Sequence, residues 1–149
     1  MLRCATRRAR VLAVDNSPAF LCTLSSFFEN DPNIDLVATA TSGQEALAAV
    51  AELRPDLVLM DLQMPGMNGL QATEELSRRF PDIPVVVLTA YDMPRLQQVC
   101  KESGAREVAT KGRLSQELPA VLASILGPLR TKRDQEPKTE TKSPDPKSN

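Results

Sequence analysis

Asp15, Asp61, Thr89 and Lys111 are the residues of this sequence whose types and spacing could do chemistry together. The first three directly follow apolar runs, Val11-Leu12-Ala13-Val14, Leu57-Val58-Leu59-Met60 and Val85-Val86-Val87-Leu88, and Lys111 follows the weaker run Glu107 to Thr110. Wholly apolar runs of this length read as strands buried on both faces, as in a parallel sheet covered by helices. Polar residues at the carboxyl ends of such strands stand on the rim where open α/β folds hold ligands. Asp61 most needs explaining, because an unpaired carboxylate is costly in an apolar setting. Two carboxylates at one rim repel, and a hard divalent cation such as Mg²⁺, bound by oxygens and keeping some waters, is the simplest relief. Phosphoryl transfer onto a carboxylate uses all of these parts. Asp61 would be the nucleophile and form an acyl phosphate, with the metal neutralising charge on the transferring group. The Lys111 ammonium would hold one phosphoryl oxygen and the Thr89 hydroxyl another. The plainer readings are a solvated strand-end Asp61, an Asp15 that caps a helix and a Lys111 that is only a loop cation. Four such residues in register favour the chemistry.

The elements that must position them alternate strand and helix five times. Ser17-Pro18 supplies a helix cap and a proline at the first helical position, and Phe20, Leu21, Leu24, Phe27 and Phe28 follow at helical spacing up to Asn30-Asp31-Pro32. These phenylalanines read as core rather than a stacking platform, and Cys22 and Cys100 as small core hydrophobes. Ile34 to Ala40 is a second strand, broken by Asp35. Ser42-Gly43-Gln44-Glu45 has the form of a capping box opening a helix with Leu47, Val50 and Leu53 inward, ended by Arg54-Pro55. Asn68 caps a third helix, with Leu70, Leu76 and Phe80 inside and Pro81 behind. Asp92 caps a fourth that runs to Ser103, with Gly104 as terminator. Ser115 opens the last, which carries Leu118, Val121, Leu122, Ile125 and Leu126 to a stop at Gly127-Pro128, with Pro119 early enough to be tolerated. Single-helix crossovers are right-handed and make the sheet parallel. Asp35 and Arg106-Glu107 mark the second and fifth strands as edges. The expected fold is therefore α/β, a flavodoxin-like (βα)5 sandwich with strand order 2-1-3-4-5 and its switch point between Asp15 and Asp61.

Composition narrows the function. The chain has 149 residues, 42% of them apolar and 25% charged, which suits one soluble domain. A net charge of −1 gives no strong pull toward nucleic acid or an anionic membrane, and no apolar stretch matches a bilayer. Arg3, Arg7, Arg8 and Arg10 lack the apolar block of a secretory signal. Three cysteines, Cys4, Cys22 and Cys100, with no CxxC spacing point to a reducing cytoplasm. The absence of histidine excludes histidine-based hydrolases, most zinc enzymes and histidine phosphocarriers. Thr131 to Asn149 has no large apolar residue. The expected organisation is an N-terminal extension over 1–9, a domain over 10–127 and a disordered polar tail over 128–149.

With those pieces in view, the sequence resembles the response-regulator receiver domain of two-component signalling, in its single-domain form. The resemblance rests on Val14-Asp15, on Leu57 through Asp61 into Leu62-Gln63-Met64-Pro65-Gly66-Met67-Asn68-Gly69, on Val86-Val87-Leu88-Thr89-Ala90, and on Gly104-Ala105 followed by Lys111. It covers about residues 10 to 127. It implies that Asp61 takes phosphate from a sensor histidine kinase or phosphotransfer protein. It also implies a Mg²⁺ site formed by Asp15, Asn16, Asp61 and the Gln63 backbone carbonyl. Thr89 would then be drawn to the phosphate and shift a protein-binding face around 92–127.

The sequence departs from the family pattern in three places. Asn16 stands where a second acid is usual, which predicts weaker Mg²⁺ binding. Val108 replaces the switch aromatic, and Gly112 the proline that often follows the lysine. The resemblance further implies that Gln63 and Tyr91 tune phosphate lifetime. The leading expectation is a phosphorylation-operated interaction module, not an enzyme, with no attached output. The rival is a degenerate receiver that works by contact alone, for which Asn16 and Val108 speak. A dehalogenase-like phosphatase would want an acid where Gln63 stands. A dinucleotide site would want a glycine-rich turn instead of Asp-Asn-Ser-Pro. A DNA-binding regulator would need an output domain after Gly127.

Overall fold

The computed structural model describes residues 8–62 and 68–135, with side chains described as far as residue 126. Gln63 and the turn through Met67 lie outside the described residues, as do Cys4 and positions 136–149 of the expected tail. Among the described residues five strands alternate with five helices: β1 (Ala9–Val14), α1 (Pro18–Glu29), β2 (Ile34–Ala40), α2 (Gly43–Leu53), β3 (Leu57–Asp61), α3 (Gly69–Arg79), β4 (Val85–Thr89), α4 (Pro94–Glu102), β5 (Glu107–Thr110) and α5 (Leu114–Gln135). A short 3₁₀ turn, Lys111–Arg113, joins β5 to α5. The sheet is parallel, in the order β2-β1-β3-β4-β5. The flavodoxin-like order expected from the apolar runs is the one observed, because strands buried on both faces must lie inside the sheet.

Pleating divides β1 between two cores. Val11 and Ala13 face Leu21, Leu24 and Phe28 of α1 and Leu118, Leu122 and Leu126 of α5. Leu12 and Val14 face Ala46 and Val50 of α2 and Ala72 and Leu76 of α3. A smaller third cluster seats Cys100 of α4 against Leu62, Val87 and Ala105. Burying each leucine contributes about 1.5–3 kcal/mol.

Among the first four helices the starts follow the capping chemistry, with one exception, and the last helix starts at Leu114 rather than at Ser115. Ser17 caps α1 by accepting the Phe20 N–H, and Asn68 and Gln71 form a full capping box on α3. At α2 the box is half made, since Ser42 accepts the Glu45 N–H while the Glu45 carboxylate turns to the Thr41 N–H. The exception is Asp92. Helix α4 starts at Pro94 with Met93 before it and no side-chain cap, because Pro94 is already set for the first helical position. Asp92 pairs with Arg113 instead.

Three further expectations are corrected. Helix α5 does not stop at Gly127-Pro128; helical backbone continues to Gln135. A proline removes one ladder bond, and Leu, Arg, Lys and Gln beyond it are good helix formers. Cys22 is exposed, unlike the buried Cys100. Phe27 is 36% exposed, because the α1 stripe that reaches the core is Leu21, Leu24 and Phe28.

Candidate functional site

Sheet register carries the four polar residues to one place. Val14 pairs with Met60, so Asp15 and Asp61 leave β1 and β3 at the same level. Asp61 pairs with Leu88 and Thr89 with Thr110, so Thr89 and then Lys111 follow one step further along the rim. Asp15, Asp61 and Thr89 are 1%, 5% and 1% exposed, so none of them is a solvated strand end. The Lys111 ammonium donates to Asp15 Oδ2 at 2.6 Å and lies 3.1 Å from Asp61 Oδ1. A residue 96 positions away in sequence thus closes the site over the first strand.

Each side chain is held by its own element. Asp15 Oδ1 accepts the Ser17 N–H at 2.8 Å, which fixes the carboxylate to the start of α1. Asp61 is gripped from the backbone side. Gly69, the first residue of α3, donates to the Leu62 carbonyl, and a Cβ there would stand 2.1 Å from the Asp61 carbonyl oxygen. Only glycine permits that approach. Thr89 Oγ1 accepts the Tyr91 N–H at 3.1 Å and so governs the loop into α4. Burial lowers the pKa of the Lys111 ammonium, but its hydrogen bonds and charge contacts with Asp15 and Asp61 outweigh this and leave it raised.

Sequence reasoning missed two parts of the site. The Lys111 ammonium lies 4.3 Å from the centroid of the Phe20 ring, so Phe20 is more than core. Its signal was an aromatic in the first turn of the helix that follows Asp15. The second is a strap beside the site. Arg113 pairs with Asp92 and with Glu117, and Glu117 Oε1 accepts the Thr110 N–H. This Thr110 bond, chiefly, holds the Glu117 carboxyl below its ordinary pKa, against the opposing effect of burial and with help from Arg113. Asn16 is exposed next to Asp15. Among the described residues no three His, Cys, Asp or Glu side chains gather as a metal site. The two buried carboxylates are nevertheless hard oxygen donors, and with one ammonium the three side chains sum to one negative charge. That set suits a divalent cation such as Mg²⁺.

Fold and site together define an α/β domain with a carboxylate pair, a hydroxyl and an ammonium at the switch point of its sheet. The sequence from 11 to 123 matches the family model for the response regulator receiver domain, and the chain belongs to that family. It is 34% identical over 134 residues to the transcriptional regulatory protein LiaR of Bacillus subtilis, a match covering 89% of this chain and 60% of that protein. It is 38% identical over 103 residues to the response regulator GacA of Pseudomonas viridiflava, covering 69% and 48%. The chain therefore spans about half the length of these relatives. Among solved structures, the response regulator domain of Thermotoga maritima CheB superposes with a TM-score of 0.73 at 27% identity, covering 81% of this chain and 96% of that one. Among the described residues no helix is long and apolar enough to cross a membrane.

Proposed function

We propose that this domain is a cytoplasmic phosphoacceptor in a two-component relay, with Asp61 as the residue that takes the phosphoryl group. The observation that carries this reading is the Lys111 ammonium bridging two buried carboxylates, 2.6 Å from Asp15 and 3.1 Å from Asp61. In the transfer an Asp61 carboxylate oxygen attacks the phosphorus of a phosphohistidine on a histidine kinase or phosphotransfer protein. An O–P bond forms as the N–P bond breaks, and the departing imidazole nitrogen keeps the electron pair and is protonated. Lys111 orients and offsets charge on one phosphoryl oxygen, and Thr89 donates to another. Asp15, Asp61 and Asn16 would hold Mg²⁺, together with the Gln63 carbonyl, which lies outside the described residues. The ion, when bound, supplies charge neutralisation for phosphoryl transfer. The chain itself turns over no substrate.

The readout follows from the Thr89–Tyr91 bond. When Thr89 turns toward a phosphate, the Tyr91 N–H loses its acceptor and the loop into α4 must rearrange. That loop and helix present Tyr91, Met93 and Val99, which are large apolar residues left exposed. A downstream protein would bind there, on the face around 92–127. The second reading, a degenerate receiver acting by contact alone, is favoured by Asn16. One experiment separates the two. The protein is incubated with Mg²⁺ and phosphoramidate and followed by intact mass and phosphate-affinity mobility, with Asp61→Asn as control. One added phosphoryl mass on the parent and none on Asp61→Asn is expected; no addition on the parent leaves the contact-only reading.

A further inference from the structure

We infer that Phe20 is a positioning residue for phosphoryl transfer: the face of its ring fixes the Lys111 ammonium beside Asp61. The inference rests on the phosphoacceptor reading for its consequence, and on geometry for its substance. A lysine side chain has four rotatable bonds and three donors that point where partners allow. Here two directions are set by Asp15 Oδ2 and Asp61 Oδ1, and the Phe20 ring, 4.3 Å from centroid to Nζ, closes a third. That distance is within the range at which a ring's electron-rich face attracts a cation, and the attraction grows as water is excluded. The ammonium is only partly exposed, at 22% for the side chain.

The ring itself cannot drift. Phe20 sits in the first turn of α1, where its N–H donates to Ser17 Oγ at 3.3 Å, and Ser17 N–H in turn donates to Asp15 Oδ1 at 2.8 Å. Its side chain packs against the core cluster shared by α1 and α5. Asp15, Ser17, Phe20 and Lys111 therefore form a closed ring of contacts that returns to Asp15. The helix cap, the first carboxylate and the lysine are fixed relative to one another by one aromatic side chain. An aliphatic residue of similar bulk would fill the same space but present no negative face to the cation.

The test drains the ring face without changing its shape. Phe20 is replaced by mono-, di- and trifluorinated phenylalanine in the full chain, beside Phe20→Leu and Phe20→Tyr. Phosphorylation by phosphoramidate with Mg²⁺ is timed by intact mass. The rate is expected to fall stepwise with fluorine number, to about threefold to tenfold below the parent at three fluorines and in Phe20→Leu, while Phe20→Tyr stays within about twofold. A second readout needs neither metal nor phosphate. In metal-free protein the Lys111 Cε protons, assigned by their loss in Lys111→Arg, are expected upfield from the ring current and return to ordinary positions in Phe20→Leu. Rates that stay flat across the fluorine series overturn the inference, as do Lys111 Cε shifts unchanged by Phe20→Leu. A parent that takes no phosphate sinks the phosphoacceptor reading instead, and the proton shifts still decide where the ammonium sits.

Discussion

Gly69→Ala tests how the acceptor carboxylate is held. An alanine in place of glycine inside a helix ordinarily stabilises by about 0.5–1 kcal/mol, so the plain expectation is a gain. The structure predicts the reverse. A Cβ at Gly69 would stand 2.1 Å from the Asp61 carbonyl oxygen and 2.7 Å from the Leu62 Cα, both rigid backbone atoms. Real Cβ contacts essentially never fall under 3.0 Å, so α3 and the end of β3 must part by about 0.9 Å. The sheet holds Asp61 through Leu88, and the Leu62 N–H through the Leu88 carbonyl, so part of that shift twists the Asp61 side chain out of place. Its 3.1 Å approach to Lys111 would then lengthen toward the limit of a hydrogen bond. Overpacking of this kind costs about 1–3 kcal/mol, and an ångström of misplacement at a reacting group costs about 10²-fold in rate. Urea unfolding midpoints and the rate of phosphorylation by phosphoramidate measure the two effects. Gly112→Ala is the control, because a Cβ there meets nothing within 4 Å. If Gly69→Ala proves as stable as the parent and takes phosphate as fast, the close approach at Asp61 is not what places the acceptor.

Lys111→Met removes the ammonium that Asp15 and Asp61 share; phosphorylation should slow by about 10²-fold or more and the unfolding free energy from urea titration should fall by about 1–3 kcal/mol, with an unchanged rate counting against the bridging role. Asn16→Asp adds a carboxylate beside Asp15, and calorimetric titration should show several-fold tighter Mg²⁺ binding; equal affinities would dismiss the charge argument. Glu117 has a folded-state pKa below its ordinary value, chiefly through the Thr110 N–H, so it contributes stability above the unfolded carboxyl pKa near 4.5 and loses it as pH falls through the lower folded value. The gap in urea midpoint between the parent and Glu117→Gln should therefore be open at pH 7 and narrow as the pH falls below the unfolded value near 4.5, and a gap that widens in acid would contradict that sign.

Much of the molecule is legible in the order of its residues. Val85 to Leu88 and Leu57 to Met60 have no polar face to turn outward, so they had to be inner strands. Ser17 and Asn68 had to start helices, since their side chains accept backbone N–H groups of the first turn, and Pro18 is preset for the first helical position. Strand ends and strand order alone are enough to bring Asp15, Asp61, Thr89 and Lys111 to one rim. Local rules misjudged the places where a distant partner competes. Asp92 had the type of a cap, but Arg113, 21 residues on, takes its carboxylate. Phe20 had the spacing of a core residue, and only the return of the chain through β5 laid a lysine across its ring. Gly69 carried no local signal of its own, and only the seating of α3 on the backbone of Asp61 shows why a side chain is excluded there. Periodicity and capping act within a few residues, so sequence alone determines elements and their edges. Which side chains meet across the sheet depends on register and on the packing of helices from both ends of the chain, and that only the folded structure decides.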